Sequence, residues 1–173
     1  LCRQIIKQAP TKIVLFELSE YGLYAIEKEL IEYKTNHKLV VEILPLVGSV
    51  QQSDRIESVM KNFRVQTVYH AAAYKHVPLV EENIDQAIQN NIIGTKNSID
   101  CAIKYNVKKF VLISTDKAVR PTNVMGTTKR VCELYAQNVD SKNTEIVAVR
   151  FGNVLGSSGS VIPKFKQQIV NGN

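Results

Sequence analysis

The sequence predicts an α/β protein whose core is a doubly wound parallel sheet, and three observations favour this fold class. Five runs rich in β-branched and apolar residues are each short enough to form a buried strand. Segments with a helical spacing of apolar residues separate these runs. Strands that alternate with helices form parallel sheets covered on both faces, with right-handed crossovers. The predicted strands are residues 13–16, 39–44, 67–73, 110–114 and 146–151.

Helices are predicted between the strands because apolar residues recur there at intervals of three and four, which places them on one helical face. The four stripes are Leu23, Ile26 and Leu30; Ile56, Val59, Met60 and Phe63; Ile88, Ile92, Thr95, Ile99, Ala102 and Ile103; and Val124, Thr128, Val131, Tyr135 and Val139. A further helix is expected to begin near Pro163. No repeat or linker divides the chain, so residues 1–173 are predicted to belong to one domain.

Composition and charge exclude several classes of protein. Of the 173 residues, 45% are hydrophobic and 22% are charged, which is typical of a globular chain rather than a disordered one. No run approaches the roughly 18 consecutive apolar residues of a membrane span. The three cysteines lack the spacing of a zinc site, so no metal is predicted and a cytoplasmic location is expected. The basic residues are dispersed without aromatic interleaving, which does not favour nucleic acid as a partner.

The sequence also predicts a truncated domain. In a dinucleotide-binding fold, a Gly-rich turn follows the first strand and an acidic residue about 20 positions later binds the adenosine ribose. Glu17 follows the first predicted strand and suits that role, which places the glycines upstream of Leu1. We therefore expect the first strand, its Gly-rich loop and a C-terminal substrate region to be missing. The alternative is that Glu17 is a solvated acid at a strand end.

A second candidate region follows the third predicted strand. Ala71, Ala72 and Ala73 leave room for a flat ligand to approach the backbone, although tight packing of a helix on the sheet would also require small residues. His70 is expected to be a core histidine. Lys75 and His76 come after the strand, where they are expected either to face a ligand crevice or to contact another subunit.

The densest set of reactive side chains follows the fourth predicted strand. Thr115, Asp116 and Lys117 stand at the strand end, and Asp116 beside Lys117 offers an acid and a base whose pKa values a crevice could shift toward their tasks. Met125 and Lys129 come next, at the i and i+4 spacing that places both on one helical face. The alternative is that Asp116 and Lys117 form an ordinary surface pair.

Four motifs occur in order along the chain, namely AAAYKHVP at 71–78, NIIGT at 91–95, STDK at 114–117 and RFGNVLGS at 150–157. Together they resemble the nucleotide-sugar 4,6-dehydratases of polysaccharide biosynthesis, and most closely the bacterial UDP-N-acetylglucosamine 4,6-dehydratases. These are extended short-chain dehydrogenase/reductases, and the resemblance covers essentially the whole chain. It implies a Rossmann-like fold, a UDP-sugar substrate and a homo-oligomer. It also implies an amino-terminal membrane region in the full-length protein, which would then lie on the cytoplasmic face of the inner membrane.

The resemblance also implies roles for individual residues. Glu17 would bind the adenosine ribose, and because no arginine is nearby, NAD is expected rather than NADP. Ser49 replaces the Asp that often reads the adenine amine, which leaves the backbone of Gly48–Val50 as a substitute. The remaining expected contacts are Ala71, Ala72 and Ala73 along the dinucleotide, Asn91 as a brace of the active site, Lys129 on the nicotinamide ribose, and Lys75, His76, Asn153, Ser157 and Ser160 toward the sugar diphosphate.

The implied reaction begins with hydride transfer from sugar carbon 4 to NAD. Lys117 would then remove the carbon 5 proton and Asp116 would protonate the departing hydroxyl of carbon 6. Met125 replaces the tyrosine that usually deprotonates the carbon 4 hydroxyl, so that role falls to Asp116, to Thr115 with a water, or to the region of Lys129. Two alternatives stay open: an epimerase or reductase of the same fold, and a non-catalytic dinucleotide-binding regulator.

Overall fold

A computed structural model of the protein describes residues 1–152, 154, 168 and 169. Five strands occupy this part of the chain: β1 (Lys12–Glu17), β2 (Glu42–Val47), β3 (Thr67–His70), β4 (Lys109–Thr115) and β5 (Glu145–Phe151). The helices are α1 (Cys2–Ile5), α2 (Glu20–Asn36), α3 (Ser53–Phe63), α4 (Val77–Glu82), α5 (Ile84–Ala87), α6 (Gly94–Lys104) and α7 (Val124–Asn138). A π-helical segment (Ile88–Ile93) precedes α6, and two 3₁₀ turns cover Ile6–Gln8 and Asp116–Ala118.

Every strand pairing in the described residues is parallel, as predicted. The strands form two hydrogen-bonded sheets, β1-β2 and β3-β4-β5, whereas the sequence predicted one sheet. A doubly wound dinucleotide-binding sheet has the order 3-2-1-4-5-6. The observed pairings match its two halves, with β2 and β1 in the places of strands 3 and 2, and β3, β4 and β5 in the places of strands 4 to 6. The described residues put no strand between β1 and β3, and the hydrogen-bond ladder divides there.

Two predicted strands have different bounds in the structure. The second run was expected to begin at residue 39, but the backbone N–H of Leu39 donates to Lys34 O at 3.0 Å, and Lys38 has a left-handed φ of 52°. These residues therefore close the end of α2, and β2 begins three residues later. The third run was expected to extend to Ala73 but ends at His70, where its pairing with β4 ends. β5 was expected to be buried, yet its side chains are half-buried or exposed, and among the described strands only β4 pairs with it.

The four helices predicted between the strands are present, and the sequence explains where they begin. Ser19 caps α2 because its Oγ accepts a hydrogen bond from the N–H of Gly22 at 3.1 Å. Leu23 and Leu30 are buried on the predicted stripe of α2. The third stripe was expected to be one helix, but the chain first forms the π-helical segment and continues as α6, which buries Thr95 and Ile99.

The buried face of α7 differs from the prediction. Val131 belongs to the predicted apolar stripe, but its side chain is 37% exposed. The helix instead buries Met125, Gly126, Thr128, Lys129, Cys132, Glu133 and Ala136. Thr128 of the predicted stripe is buried, and Tyr135 and Val139 pack against the main core. The prediction missed the polar side chains buried beside them, because apolar periodicity does not detect polar residues that have buried partners.

The largest apolar core lies between β3, β4 and the helices α3, α6 and α7, and includes the fully buried Phe110, Leu112 and Ile99. Phe16 of β1 packs against this core, which links the two sheets. A second core lies between β1, β2 and α2, with Leu15 and Leu30 at its centre. None of the described helices combines the length and apolarity that a membrane crossing requires.

Candidate active site

The end of β4 brings three predicted catalytic residues into contact. Thr115 caps the 3₁₀ turn that follows, because its Oγ1 accepts from the N–H of Lys117 at 3.3 Å. The same hydroxyl donates to Asp116 Oδ1 at 3.0 Å, and Lys117 Nζ lies 3.4 Å from that oxygen. The Asp116 and Lys117 side chains are 58% and 41% exposed. The turn therefore presents an acid and a base side by side, open to a substrate.

The electrostatics of this turn bear on the expected role of Asp116. The hydrogen bond from Thr115, with a smaller contribution from the Lys117 ammonium, lowers the pKa of Asp116 below its usual value. A general acid at neutral pH needs a raised pKa instead. Asp116 is thus a carboxylate in this arrangement, and it can act as an acid only after it has accepted a proton.

Helix α7 packs directly on the turn. Asn123 caps the helix because its Oδ1 accepts from the N–H of Gly126 at 2.8 Å. A Cβ atom at Gly126 would lie 2.5 Å from Lys117 O, so only glycine allows this close approach of helix and turn. The packing sets the position of Lys117 relative to the residues that α7 carries.

Met125 and Lys129 lie on α7 as predicted but in different surroundings. Met125 is 5% exposed and belongs to a small apolar cluster with Val80 and Ala87. Its thioether cannot accept a proton usefully. Lys129 is also 5% exposed, and burial lowers the pKa of its ammonium, an effect that Cys132 and Glu133 partly offset. Within the described residues, no hydrogen bond or ion pair reaches the Lys129 ammonium.

Asn91, on the π-helical segment, joins the loop after β3 to α7. Its side chain is almost fully buried, accepts from the N–H of Tyr74 at 2.8 Å and donates to Tyr74 O at 3.0 Å. It also donates to Thr128 Oγ1 at 3.1 Å. These contacts fix the course of the segment that contains Lys75 and His76.

The loop after β3 carries the other predicted residues of this region. Ala71, Ala72 and Ala73 have no regular secondary structure and lie exposed or half-buried after the strand. A cavity of about 470 Å³ follows, and its lining residues are Ala73, Tyr74, Lys75, His76, Leu79, Val80, Asn83 and Gln86. Lys75 and His76 therefore line this cavity, and their contact with a ligand or with another subunit stays a prediction.

His70 is a core histidine, which confirms the prediction. Its Nε2 is 2.9 Å from Thr95 Oγ1, and its ring stacks on Phe110 with a centroid separation of 5.7 Å. Burial, with a smaller effect of the Lys129 charge, lowers the pKa of His70 to about 3. The imidazole is therefore neutral at physiological pH.

The ends of β1 and β2 hold the predicted adenosine-binding residues. The exposed Glu17 carboxylate accepts from the N–H of Ser19 at 3.0 Å. Ser49 Oγ accepts from the N–H of Gln51 at 3.2 Å, which leaves this side chain in a local turn. Val50 is buried in the main core, and its carbonyl oxygen accepts from Asn97 Nδ2 at 3.3 Å. The backbone at Val50 is thus already partly engaged.

The fold corrects the expectation that no arginine lies near Glu17. In the parallel pairing, Glu17 is the register partner of Val47. Arg55 of α3 reaches this strand end, where its Nη2 donates to Val47 O at 3.4 Å. An arginine near this acid is what accommodates the 2′-phosphate of NADP in dinucleotide-binding folds. The expected preference for NAD over NADP therefore stays a prediction, to which Arg55 is relevant.

Sequence reasoning missed the buried carboxylate of Glu133. Its side chain is 1% exposed and forms ion pairs with Arg150 and Arg130. Ser114, immediately before Thr115, donates to it at 2.6 Å. Glu133 lies four residues after Lys129, and this i and i+4 pair of charges inside a mainly apolar helix was the signal that could have identified it.

Three residues predicted to face the sugar diphosphate, Asn153, Ser157 and Ser160, lie outside the described residues, as does the helix expected near Pro163. In the part of the chain that the structure describes, no group of three or more His, Cys, Asp or Glu residues could hold a metal ion.

Two curated relatives are similar in sequence. The capsular polysaccharide biosynthesis protein CapD of Staphylococcus aureus is 52% identical over 99% of this chain, which spans 28% of that protein. The UDP-N-acetylglucosamine 4,6-dehydratase (inverting) of Campylobacter jejuni is 42% identical over 73% of this chain, and the match covers 38% of that protein. The chain thus corresponds to less than half the length of these relatives.

Two solved structures have the same fold. Pen from Bacillus thuringiensis superposes with a TM-score of 0.85 at 36% identity, over 98% of this chain and 51% of that one. DesIV of Streptomyces venezuelae, a dTDP-glucose 4,6-dehydratase crystallised as a double mutant with NAD bound, superposes with a TM-score of 0.77 at 16% identity, over 99% of this chain and 58% of that one. The second similarity shows the fold alone, and both confirm a Rossmann-like α/β domain. Because the sequence profile of the polysaccharide biosynthesis protein family matches residues 1–173, the chain belongs to that family.

Proposed function

We propose that the full-length protein is a nucleotide-sugar 4,6-dehydratase that converts UDP-N-acetylglucosamine with NAD as its cofactor. The contact between Asp116 and Lys117 at the end of β4 carries this proposal, because a dehydration needs an acid and a base at adjacent carbons. The substrate is inferred from the relative of that name, which is 42% identical over 130 residues.

The side chains at the strand ends fit a dinucleotide. The exposed carboxylate of Glu17 can accept hydrogen bonds from ribose hydroxyls, and the small side chains after β3 leave space beside the backbone. The Lys129 ammonium, without a hydrogen bond in the described residues, has donors for the hydroxyls of the second ribose. When bound, NAD would accept a hydride from sugar carbon 4 and return it to carbon 6.

The proton transfers can be assigned to two residues. Since Asp116 is ionised, its carboxylate can accept the proton of the carbon 4 hydroxyl, a role that the thioether of Met125 cannot fill. The ketone at carbon 4 acidifies carbon 5, from which the neutral amine form of Lys117 removes a proton to become an ammonium. Asp116 then donates its new proton to the carbon 6 hydroxyl, which leaves as water. Lys117 returns a proton to carbon 5 as the hydride reaches carbon 6, so one water is lost and both side chains regain their starting states.

The test is turnover of UDP-N-acetylglucosamine by the full-length enzyme in D₂O, with the product identified by NMR and mass spectrometry. Lys117→Ala should stop deuterium entering carbon 5 while cofactor reduction survives. Asp116→Asn should lose both cofactor reduction and water elimination, since it lacks the acceptor for the carbon 4 proton. Each loss should be about 10²–10⁴-fold in rate.

A matched control is available in the other sheet, at the start of β1. Lys12 at the start of β1 pairs with Glu42 at 2.9 Å and has a side-chain exposure of 38%, close to that of Lys117. Lys12→Ala should leave turnover unchanged. A product that keeps its carbon 6 oxygen would identify an epimerase or reductase, and no cofactor turnover would identify a binding protein. Either result overturns the proposal.

A further inference from the structure

The carboxylate of Glu133 is the meeting point of three elements. Ser114 Oγ of β4 donates to its Oε1 at 2.6 Å. Arg150 of β5 donates through Nε at 2.9 Å and through Nη2 at 2.7 Å, one bond to each oxygen. Arg130 of α7 adds a contact of 3.3 Å. The side chain is 1% exposed, so a fully satisfied negative charge is buried where β4, β5 and α7 meet.

This contact point lies beside the proposed catalytic residues. Ser114 directly precedes Thr115, and it is the register partner of Arg150 in the parallel pairing of β4 and β5. Lys129 lies one helical turn before Glu133, and both side chains are buried. A displacement of the Glu133 carboxylate would therefore move the end of β4 relative to the helix that carries Lys129.

The charged groups around Glu133 and Lys129 determine how Glu133 acts on Lys129. Glu133 faces the cations Arg150 from β5 and Arg130 from its own helix, and Ser114 from β4. The groups that act on Lys129 are Glu133 and Cys132 on α7, and Lys129 in turn acts on the neutral His70 of β3. Ionised Glu133 thus favours the charged form of a lysine that burial disfavours.

We propose that Glu133 is a positioning residue, whose buried carboxylate fixes the end of β4 against α7 and favours the cationic form of the Lys129 side chain. This inference rests on the proposed function, in which the Lys129 ammonium binds ribose hydroxyls and so must carry its protons. A residue that only stabilised the fold would affect the amount of folded enzyme but not the pH at which Lys129 loses its charge.

The experiment compares Glu133→Gln, Arg150→Met and the double variant in the full-length enzyme. Replacing both members of a buried ion pair is often well tolerated, whereas removing one leaves an uncompensated charge. We expect Glu133→Gln to lower kcat by about 10²-fold, the cost of roughly 1 Å of misplacement, with a smaller change in KM. The alkaline limb of its pH–rate profile should move to lower pH. The double variant should regain thermal stability, whereas the alkaline limb of its pH–rate profile should stay at a lower pH than that of the wild type.

A readout independent of turnover is the titration of Lys129 itself, followed by NMR of ¹³C-labelled lysine ε carbons and assigned with Lys129→Met. Its midpoint should fall in the double variant. Glu57→Gln is the control, because Glu57 also accepts bonds from a lysine and a tyrosine, at 2.6 Å each, away from the site. An unchanged midpoint and alkaline limb in the double variant would overturn the inference. Absence of dehydratase activity in the wild type would refute the proposed function instead, and the titration would still test Glu133.

Discussion

Replacement of Gly126 by alanine tests whether the contact between α7 and the Lys117 turn positions the site. The new Cβ would lie 2.5 Å from Lys117 O, 3.2 Å from Lys117 C and 3.3 Å from Asn123 Oδ1. A carbon normally approaches a carbonyl oxygen to about 3.3–3.6 Å. The turn or the helix must therefore move by about 1 Å, because the two nearest obstructing atoms belong to the backbone of Lys117 and cannot rotate away.

Two opposing effects determine the stability of this variant. Alanine is favoured over glycine in a helix by about 1 kcal/mol. Overpacking at a tight contact costs about 1–3 kcal/mol. The free energy of unfolding should therefore fall by up to about 2 kcal/mol, while a displacement of about 1 Å at Lys117 should lower kcat by about 10²-fold. Urea unfolding and steady-state turnover of the full-length enzyme measure the two quantities.

The chain offers a matched control in Gly22. It occupies the third position of α2, as Gly126 does in α7, and its N–H is likewise capped by the residue three positions earlier. A Cβ at Gly22 would meet only Ser19, at 3.3 Å and 3.4 Å, so Gly22→Ala should stabilise the protein by up to about 1 kcal/mol without changing kcat. The reasoning is refuted if Gly126→Ala and Gly22→Ala behave alike in both assays.

Three further predictions concern other parts of the site. Because Arg150 and Ser114 lower the pKa of Glu133 to about 2, its contribution to stability, on the order of 3 kcal/mol, is present above about pH 4.5 and is lost as the pH falls toward 2. The unfolding free energies of wild type and Glu133→Gln should therefore converge between pH 5 and pH 2 in urea titrations. Arg55→Met should weaken NADP binding relative to NAD by about tenfold in calorimetry, and an unchanged ratio would exclude Arg55 from the 2′-phosphate site. Met125→Tyr should cost about 1–3 kcal/mol in thermal unfolding without raising turnover, because the larger side chain enters the cluster with Val80; a faster enzyme would contradict this.

The sequence was sufficient to predict the alternation of strands and helices because the relevant signals are local. Periods of three and four identify α2 and α3, whose buried side chains match the predicted stripes. The parallel pairing then follows from the alternation, since parallel strands need a crossover helix. The same rule places the ends of β1, β3 and β4 at the carboxyl edges of their sheets, where the candidate residues were expected.

Strand boundaries and contacts between residues distant in sequence were harder to predict from the sequence. The start of β2 depends on how α2 ends, and the left-handed Lys38 gives no apolar signal. Arg55 is 38 residues from Glu17 in sequence, and only the turn from β2 into α3 brings it to the adjacent strand end. A search for arginines limited to the sequence around Glu17 could not find it.

The buried face of α7 shows which additional rule would have found Glu133. Hydropathy selects Val131, which is exposed, and passes over Lys129 and Glu133, which are buried. Yet a buried charge is costly without a partner, and the strands that a helix covers can supply one. Arg150 lies in the next strand, in register with Ser114. A pairing search between charges on a helix and charges on its flanking strands therefore detects a polar core that apolar periodicity cannot.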